Sequence, residues 1–261
     1  MIELLNVTKR FGEKTAVDNL TLSIKRGEFF GFLGPNGAGK TTTIKMMTGL
    51  LKPESGTIRI SGVDIERQPE AAKMNTGYVP DAPYIYEKLT AREYLEFTGG
   101  LYDMDPALIK RQMEWLFDLF GMNGWVDSRC EEYSHGMRQK VVFCSAFIHN
   151  PRVLIVDEPM VGLDPQSMRL VKDLLKMYSS RGTSIFMSTH TLNVAEELCD
   201  RIGIVHNGRL ISLGTLEELK KEAASEGENL ENLFLKITGG SGDNEVLKTR
   251  IHEQESPHNP L

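Results

Sequence analysis

The sequence predicts an α/β protein with a mainly parallel central sheet, an antiparallel β part near the N-terminus and an inserted helical lobe. Three observations predict it. The apolar run Phe29-Phe30-Gly31-Phe32-Leu33 leads straight into the glycine-rich stretch at 34–42, after which Ile44, Met47, Leu50 and Leu51 recur at helical spacing. Further apolar runs, Val153-Leu154-Ile155-Val156 and Thr183-Ser184-Ile185-Phe186-Met187-Ser188, alternate with helix patterns, and helical crossovers between strands imply parallel pairing. Between them, residues 86–150 carry helix signals and no strand signal.

Composition bounds the class. The chain has 261 residues, 40% hydrophobic and 25% charged, which suits one large globular domain or two joined lobes. A formal charge of −6 excludes broad electrostatic affinity for nucleic acid. Cys130, Cys144 and Cys199 are odd in number and scattered, fitting neither a disulfide framework nor a zinc site, so reduced thiols in a cytosolic protein are expected. Met1 leads into Ile2-Glu3-Leu4-Leu5-Asn6-Val7, which reads as a strand rather than a signal peptide. No apolar run approaches the ~20 residues needed to cross a bilayer, so membrane work would need a separate spanning subunit.

In chain order, the first thirty residues read as short strands, including Leu20 to Ile24 with period two. Pro53 to Gly56 breaks the chain before the strand Thr57-Ile58-Arg59-Ile60, and Gly77-Tyr78-Val79-Pro80 is a short strand stopped by its proline. Thr90-Ala91-Arg92-Glu93 has capping-box spacing ahead of Tyr94, Leu95, Phe97 and Leu101. Asp105-Pro106 starts a second helix along Ile109, Met113, Leu116 and Phe120, with Gly121 as its C-cap. Ser134 caps a third, carrying Val141, Val142, Ser145 and Ile148 and ended by Asn150-Pro151. After the strand at 153–156 come a helix with Leu170, Val171, Leu174 and Leu175, the strand at 183–188 and a helix around 192–198. Asn207-Gly208 marks a hairpin, Thr215 to Glu218 opens a capped helix, 221–238 forms a helical extension, and 239–261 reads as a flexible tail.

The chemistry centres on Gly34-Pro35-Asn36-Gly37-Ala38-Gly39-Lys40-Thr41-Thr42, which satisfies G-x-x-x-x-G-K-[ST]. Polyphosphate needs backbone N–H groups at close range, which the glycines permit; Lys40 adds a cation and the Thr41 hydroxyl a ligand for Mg²⁺. Asp157 and Glu158 end a buried strand, where an α/β sheet presents ligands: Asp157 to hold Mg²⁺ through water, Glu158 to take a proton from an attacking water. The bland alternative is a solvated strand end before Pro159. His149, His206, His252 and His258 read as ordinary surface or core residues, whereas His190 ends a strand expected beside that of Asp157, bringing it towards a γ-phosphate. Ser134 with Gly136 is either a second anion site or simply an N-cap worth about 1 kcal/mol; spacing does not separate these.

Taken together, the loop at 34–42, the serine–glycine helix start at 133–137, Asp157-Glu158, Gly162-Leu163-Asp164 and His190 resemble, in identity and order, ABC-transporter ATPase subunits. The resemblance covers residues 1 to about 220 and implies a P-loop NTPase core (1–85 and 151–220) around a helical lobe (86–150). It implies ATP and Mg²⁺ as cofactors, and a head-to-tail pair of such chains, identical or paralogous, in which Ser134 and Gly136 contact the γ-phosphate bound to the opposite chain. Phe11 matches the aromatic that stacks on adenine, and Asp164 the aspartate that touches the partner. An integral membrane subunit docked at the helical lobe and at 81–86 would be driven from the cytoplasmic face, and no nucleic acid would be involved. The segment 230–238 resembles the ending of export-type subunits. Three places depart from the family pattern. Tyr133, His135 and Met137 replace the usual Leu, first Gly and Gln of the signature, with His135 adding a titratable group; Val161-Gly162 replaces Ser-Ala; and Asp81 replaces the Gln that senses the metal and the attacking water. The alternatives are a soluble ATPase of this type acting on nucleic acid or ribosomes, against which stand the single motif set and the lack of cysteine pairs, and a non-hydrolysing switch, against which stand Glu158 and His190.

Overall fold

The computed structural model describes residues 1–225 together with Glu231, Asn232 and Phe234; the expected tail at 239–261 and most of the extension at 221–238 lie outside the described residues. The strands are β1 (Ile2–Phe11), β2 (Lys14–Ile24), β3 (Phe29–Leu33), β4 (Ser55–Ile60), β5 (Val63–Asp64), β6 (Thr76–Val79), β7 (Val153–Asp157), β8 (Ser184–Thr189), β9 (Arg201–His206) and β10 (Arg209–Gly214). The helices are α1 (Lys40–Met47), α2 (Pro69–Lys73), α3 (Ala91–Leu101), α4 (Pro106–Phe120), α5 (His135–Phe147), α6 (Pro165–Ser180), α7 (Leu192–Leu198) and α8 (Leu216–Ser225).

Two sheets form. One is antiparallel, in the order β2-β1-β4-β5; the other runs β10-β9-β3-β8-β7-β6, parallel except where β10 joins β9. The expected short strands at the N-terminus are instead two long ones, β1 with 10 residues and β2 with 11. Their alternation is interrupted because Asn6 sits at φ 51 in a bulge between Leu4 and Val7 and Asn19 at φ 50 in a second register shift between Val7 and Lys9, Asn6 Nδ2 donating to Asn19 Oδ1 at 3.0 Å across the pair. A bulge shifts the two-residue period, which makes one strand read as two fragments.

Every residue of β3, β7 and β8 is buried, as expected of parallel strands covered on both faces. Their alternation divides the core. Phe29 joins the cluster of Leu95, Phe117, Phe143 and Phe147 under the helices, while Phe30 and Phe32 face the antiparallel sheet with Ile2, Leu4 and Ile58. Phe186 of β8 packs against both, at ring-centroid distances of 5.9 and 5.2 Å. Each fully buried phenylalanine contributes roughly 2–3 kcal/mol of transfer free energy.

The three helices within 86–150 begin where their caps place them. Thr90 and Glu93 form a reciprocal capping box, the Asp105 carboxylate accepts from the amides of Ala107 and Leu108, and Gly121 closes α4 at φ 62. This lobe shares one apolar core with the sheet, because Val79, Leu154 and Val156 lie in the same cluster as Leu95 and Phe143. Thr215 and Glu218 repeat the capping box ahead of α8. Among the described residues no helix is long and apolar enough to cross a membrane.

Candidate functional site

At the end of β3 the chain turns through Gly37 (φ 81) and Gly39 (φ 106) into α1. A Cβ on Gly39 would stand 2.4 Å from the Ala16 carbonyl oxygen, so this left-handed, tightly packed corner admits no side chain. No side chain caps α1, leaving its first-turn amides and the positive end of its dipole to an anion. Beside them is a cavity of about 240 Å³ lined by Phe11, Lys14 and Ala16 on one wall and by Pro35, Asn36, Gly37, Gly39, Lys40, Thr41 and Thr42 on the other. Phe11, 53% exposed, is therefore brought to the loop by the β1–β2 turn.

Lys40 is buried, its ammonium donating to the carbonyls of Gly34 (2.8 Å) and Pro35 (3.2 Å) and lying 3.8 Å from Glu158 Oε1. Burial lowers its pKa, an effect opposed by the carboxylates of Glu158, Asp157 and Asp81. The strand order β3-β8-β7 sets these neighbours: β8 pairs with β3 at Leu33–Thr189 and with β7 at Asp157–Ser188, so loop, histidine and carboxylates emerge side by side. His190 Nδ1 lies 2.8 Å from Glu158 Oε1, the ring donating to the carboxylate. Glu158 itself sits at φ 48, an uncommon conformation for a non-glycine residue, held by hydrogen bonds from its N–H to Ser188 O (3.1 Å) and from Val161 N–H to its own carbonyl (3.1 Å).

Asp157 is buried and accepts a short hydrogen bond from the Ser188 hydroxyl. Burial pushes its carboxyl above the usual range; Asp81 and Glu158 add to this, while Ser188 and Lys40 oppose it. The oxygen donors at hand are the Thr41 hydroxyl and the Asp157 and Asp81 carboxylates. That all-oxygen, incomplete set fits Mg²⁺, which keeps several waters and takes substrate phosphates as ligands. Among the described residues no cluster of three or more His, Cys, Asp or Glu forms a metal site complete in itself.

Ser134, Gly136 and Asp164 are not among the residues lining this cavity. Ser134 caps α5, its hydroxyl accepting from Met137 N at 3.3 Å. His135 lies over the loop before α6, where a Cβ on Gly162 would stand 2.4 Å from the imidazole Cδ2. Asp164 caps α6, accepting from the Ser167 amide (2.9 Å) and hydroxyl (2.7 Å), bonds that hold its carboxyl below the usual range. The sequence reading assigned Asp164 no such capping role, although Asp-Pro at a helix start is its signature.

Two further supports of the site carry no sequence motif. The Ser188 bond to Asp157 depends on the pairing of β7 with β8. The Asn207-Gly208 turn, read only as a hairpin, presses on the loop: Gly208 N–H donates to Ala38 O (2.9 Å) and Asp18 N–H to Gly208 O (2.9 Å). Gly208, at φ 78, would place a Cβ 2.8 Å from Ala16 O.

The model of the family described as "ABC transporter" matches residues 17–161. The chain is similar to the linearmycin resistance ATP-binding protein LnrL of Bacillus subtilis, 37% identical over 84% of this chain and 70% of that protein. It is similar to the Nod factor export ATP-binding protein I of Ralstonia nicotianae, 36% identical over 84% of this chain and 68% of that protein. Its fold is similar to an ATP-binding cassette solved as a dimer in a post-hydrolysis state bound to ADP and Pi, with TM-score 0.75 and 26% identity over 83% of this chain and 99% of that one. The chain belongs to the ABC transporter family as an ATP-binding, ATP-hydrolysing subunit with a P-loop NTPase fold.

Proposed function

We propose that two copies of this chain, or one copy and a paralogue, close head to tail around two ATP molecules and drive a separate integral membrane subunit. The observation that carries the reading is the contact set at the mouth of the loop: Glu158 within 2.8 Å of His190 and 3.8 Å of Lys40. Glu158 orients and deprotonates the water whose oxygen attacks the γ-phosphorus, while the bridging oxygen leaves with ADP. His190 holds the Glu158 carboxylate and the γ-phosphate in register. Lys40 exchanges its loop carbonyls for phosphate oxygens and spreads the transition-state charge. Phe11 stacks on adenine, and residues 34–42 cradle the phosphates. Thr41, with Asp157 and Asp81 through water, would hold Mg²⁺, which would neutralise phosphate charge there. Ser134, Gly136 and the loop at Asp164 lie outside the cavity of their own chain, which supports their serving the ATP of the opposite chain.

The membrane subunit is assigned to the groove beside the helical lobe. Tyr84 is 81% exposed, Tyr86 60% and Phe97 46%, and they line a cavity of about 400 Å³ with Tyr78, Tyr94 and Leu101. An exposed aromatic patch of this kind is unusual on a surface that meets only water. Export from the cytoplasmic face is supported by the similarity to the Nod factor export protein and by the resemblance of the sequence at 230–238 to export-type endings. We divide the chain into the ATPase domain at 1–220, with the helical lobe at 86–150, an extension at 221–238 and a tail at 239–261.

The test is Glu158→Gln. Phosphate release falls by at least about 100-fold, the range for loss of a general base, while ATP affinity stays within a few fold and an ATP-dependent dimer accumulates on size exclusion. Unchanged turnover would reject Glu158 as the base.

A further inference from the structure

At the end of the parallel sheet remote from the loop, a second cavity of about 550 Å³ opens among Arg26, Arg152, Arg181, Ser61, Tyr178 and neighbouring backbone. Arg152 immediately precedes β7, whose other end is Asp157 five strand residues away, roughly 16 Å. The cavity is therefore separate from the nucleotide site. No Asp or Glu lines it, and among the described residues none of its three arginines makes an ion pair. Elsewhere on the molecule Arg92, Arg138, Arg201 and Arg209 are each matched by a carboxylate. In a chain of net charge −6, three unmatched guanidinium groups around one cavity concentrate positive potential against the overall balance.

The walls are built rather than loose. Ser184 Oγ donates to Lys25 O (2.8 Å) and accepts from Gly27 N (3.1 Å), Ser179 Oγ donates to Gly27 O (2.9 Å), and Thr183 Oγ1 donates to Pro151 O (3.1 Å). These bonds fix the backbone turns that carry Arg26, Arg152 and Arg181. Arg26 lies over the turn before β8, its Nε 3.5 Å from where a Cβ on Gly182 would stand. The Ser61 hydroxyl, also in the lining, is buried without a hydrogen-bond partner, a cost normally removed by a ligand or water. Burial pushes the Tyr178 phenol up to about 12, so it stays protonated and able to donate.

We propose that this cavity is a binding site for a multivalent phosphate-bearing anion, held by Arg26, Arg152 and Arg181 with Ser61 and Tyr178 as neutral donors. Guanidinium forks match phosphate oxygens in pairs, and three of them around a cavity suit a group of charge −2 or more. The phosphate belongs either to a soluble metabolite or to an anionic lipid headgroup.

The experiment titrates inorganic pyrophosphate into the full chain by calorimetry, with the nucleotide site already filled by saturating ADP. Saturable binding is expected, weakened at least about tenfold by R152Q and abolished in R26Q/R152Q/R181Q, with ADP affinity unchanged in both. No saturable binding into the millimolar range, or equal binding by the triple variant, overturns the proposal. If the triple variant loses ADP binding, R152Q alone decides. Vesicle sedimentation separates the sources. Retention on phosphatidylglycerol but not phosphatidylcholine vesicles, lost with the arginines, assigns a lipid phosphate. Pyrophosphate binding without retention assigns a soluble one.

Discussion

Asp157 is buried, flanked by two further carboxylates, and kept ionisable by one serine hydroxyl and one ammonium. Asp81 is the chain's own addition to that balance. Its carboxylate acts on Lys40 and Asp157 where the family pattern places a neutral amide, so substitution by glutamine removes one negative charge from the surroundings of Asp157 and from the proposed metal site. Asp81→Gln is expected to shift the ratio of ATPase activity in Mg²⁺ to that in Mn²⁺ by about tenfold, one charge contact at this range being worth about 1–2 kcal/mol. Superimposable metal profiles would remove Asp81 from the metal site. His149, stacked on Tyr102 at a centroid distance of 3.6 Å, bears on stability instead. Burial lowers its pKa from 6.5 to about 4. Because the folded value lies below the unfolded one, the neutral ring's contribution is complete above pH ~6.5 and is lost as pH falls towards ~4. Urea unfolding at pH 5 against pH 7 should show a drop of about 1–2 kcal/mol that a His149→Phe variant does not share.

The elements carry the site through their ends. Helix α3 is set by local chemistry: Thr90→Ala removes the hydroxyl that accepts from the Glu93 amide, leaving only the backbone half of the capping box, and should cost about 1 kcal/mol in thermal or urea unfolding, with ATP affinity unchanged. The hairpin β9–β10 works the other way, its local fold being ordinary and its effect remote. Gly208→Val forces a branched side chain into φ 78 and against Ala16 O, displacing the turn that accepts from Asp18 and donates to Ala38. We expect a loss of about 2–3 kcal/mol in stability, and ATP binding weakened well beyond what a surface turn would give, measured by nucleotide titration. An unaltered ATP affinity in a folded Gly208→Val variant would show that the turn does not support the loop.

At the scale of the whole molecule, two faces stand open among the described residues. The aromatic groove around Tyr84, Tyr86 and Phe97 holds side chains that cost water-exposed apolar area unless a partner covers them. Tyr84→Ser with Phe97→Asp should abolish copurification of the membrane subunit while leaving the isolated chain's ATP binding intact; retained copurification would place docking elsewhere. The arginine cavity lies at the starts of β7 and β8, the strand ends opposite the nucleotide loop, so one sheet links two chemically distinct edges.

The readings that survived contact with the structure were those that depend on residues within a few positions of each other. The strand–glycine loop–helix unit at 29–47, the caps at Thr90, Asp105, Gly121, Ser134 and Thr215, and the Asn207-Gly208 hairpin are of this kind, because capping, turn conformation and side-chain periodicity are local. The adjacency of His190 to Glu158 was also legible, since consecutive crossovers favour neighbouring strands. The length of β1 and β2 was not, because their bulge masks the alternation. What only the tertiary structure decided depends on residues far apart in the chain: β8 pairing with β3 as well as β7, so that the loop emerges beside the carboxylates; the Ser188 hydroxyl reaching Asp157; Gly208 pressing on Ala38; and three arginines from separate turns converging without a carboxylate among them. Such contacts arise from the packing of whole sheets and helices, which minimises exposed apolar surface over the entire chain and leaves no short-range pattern to read.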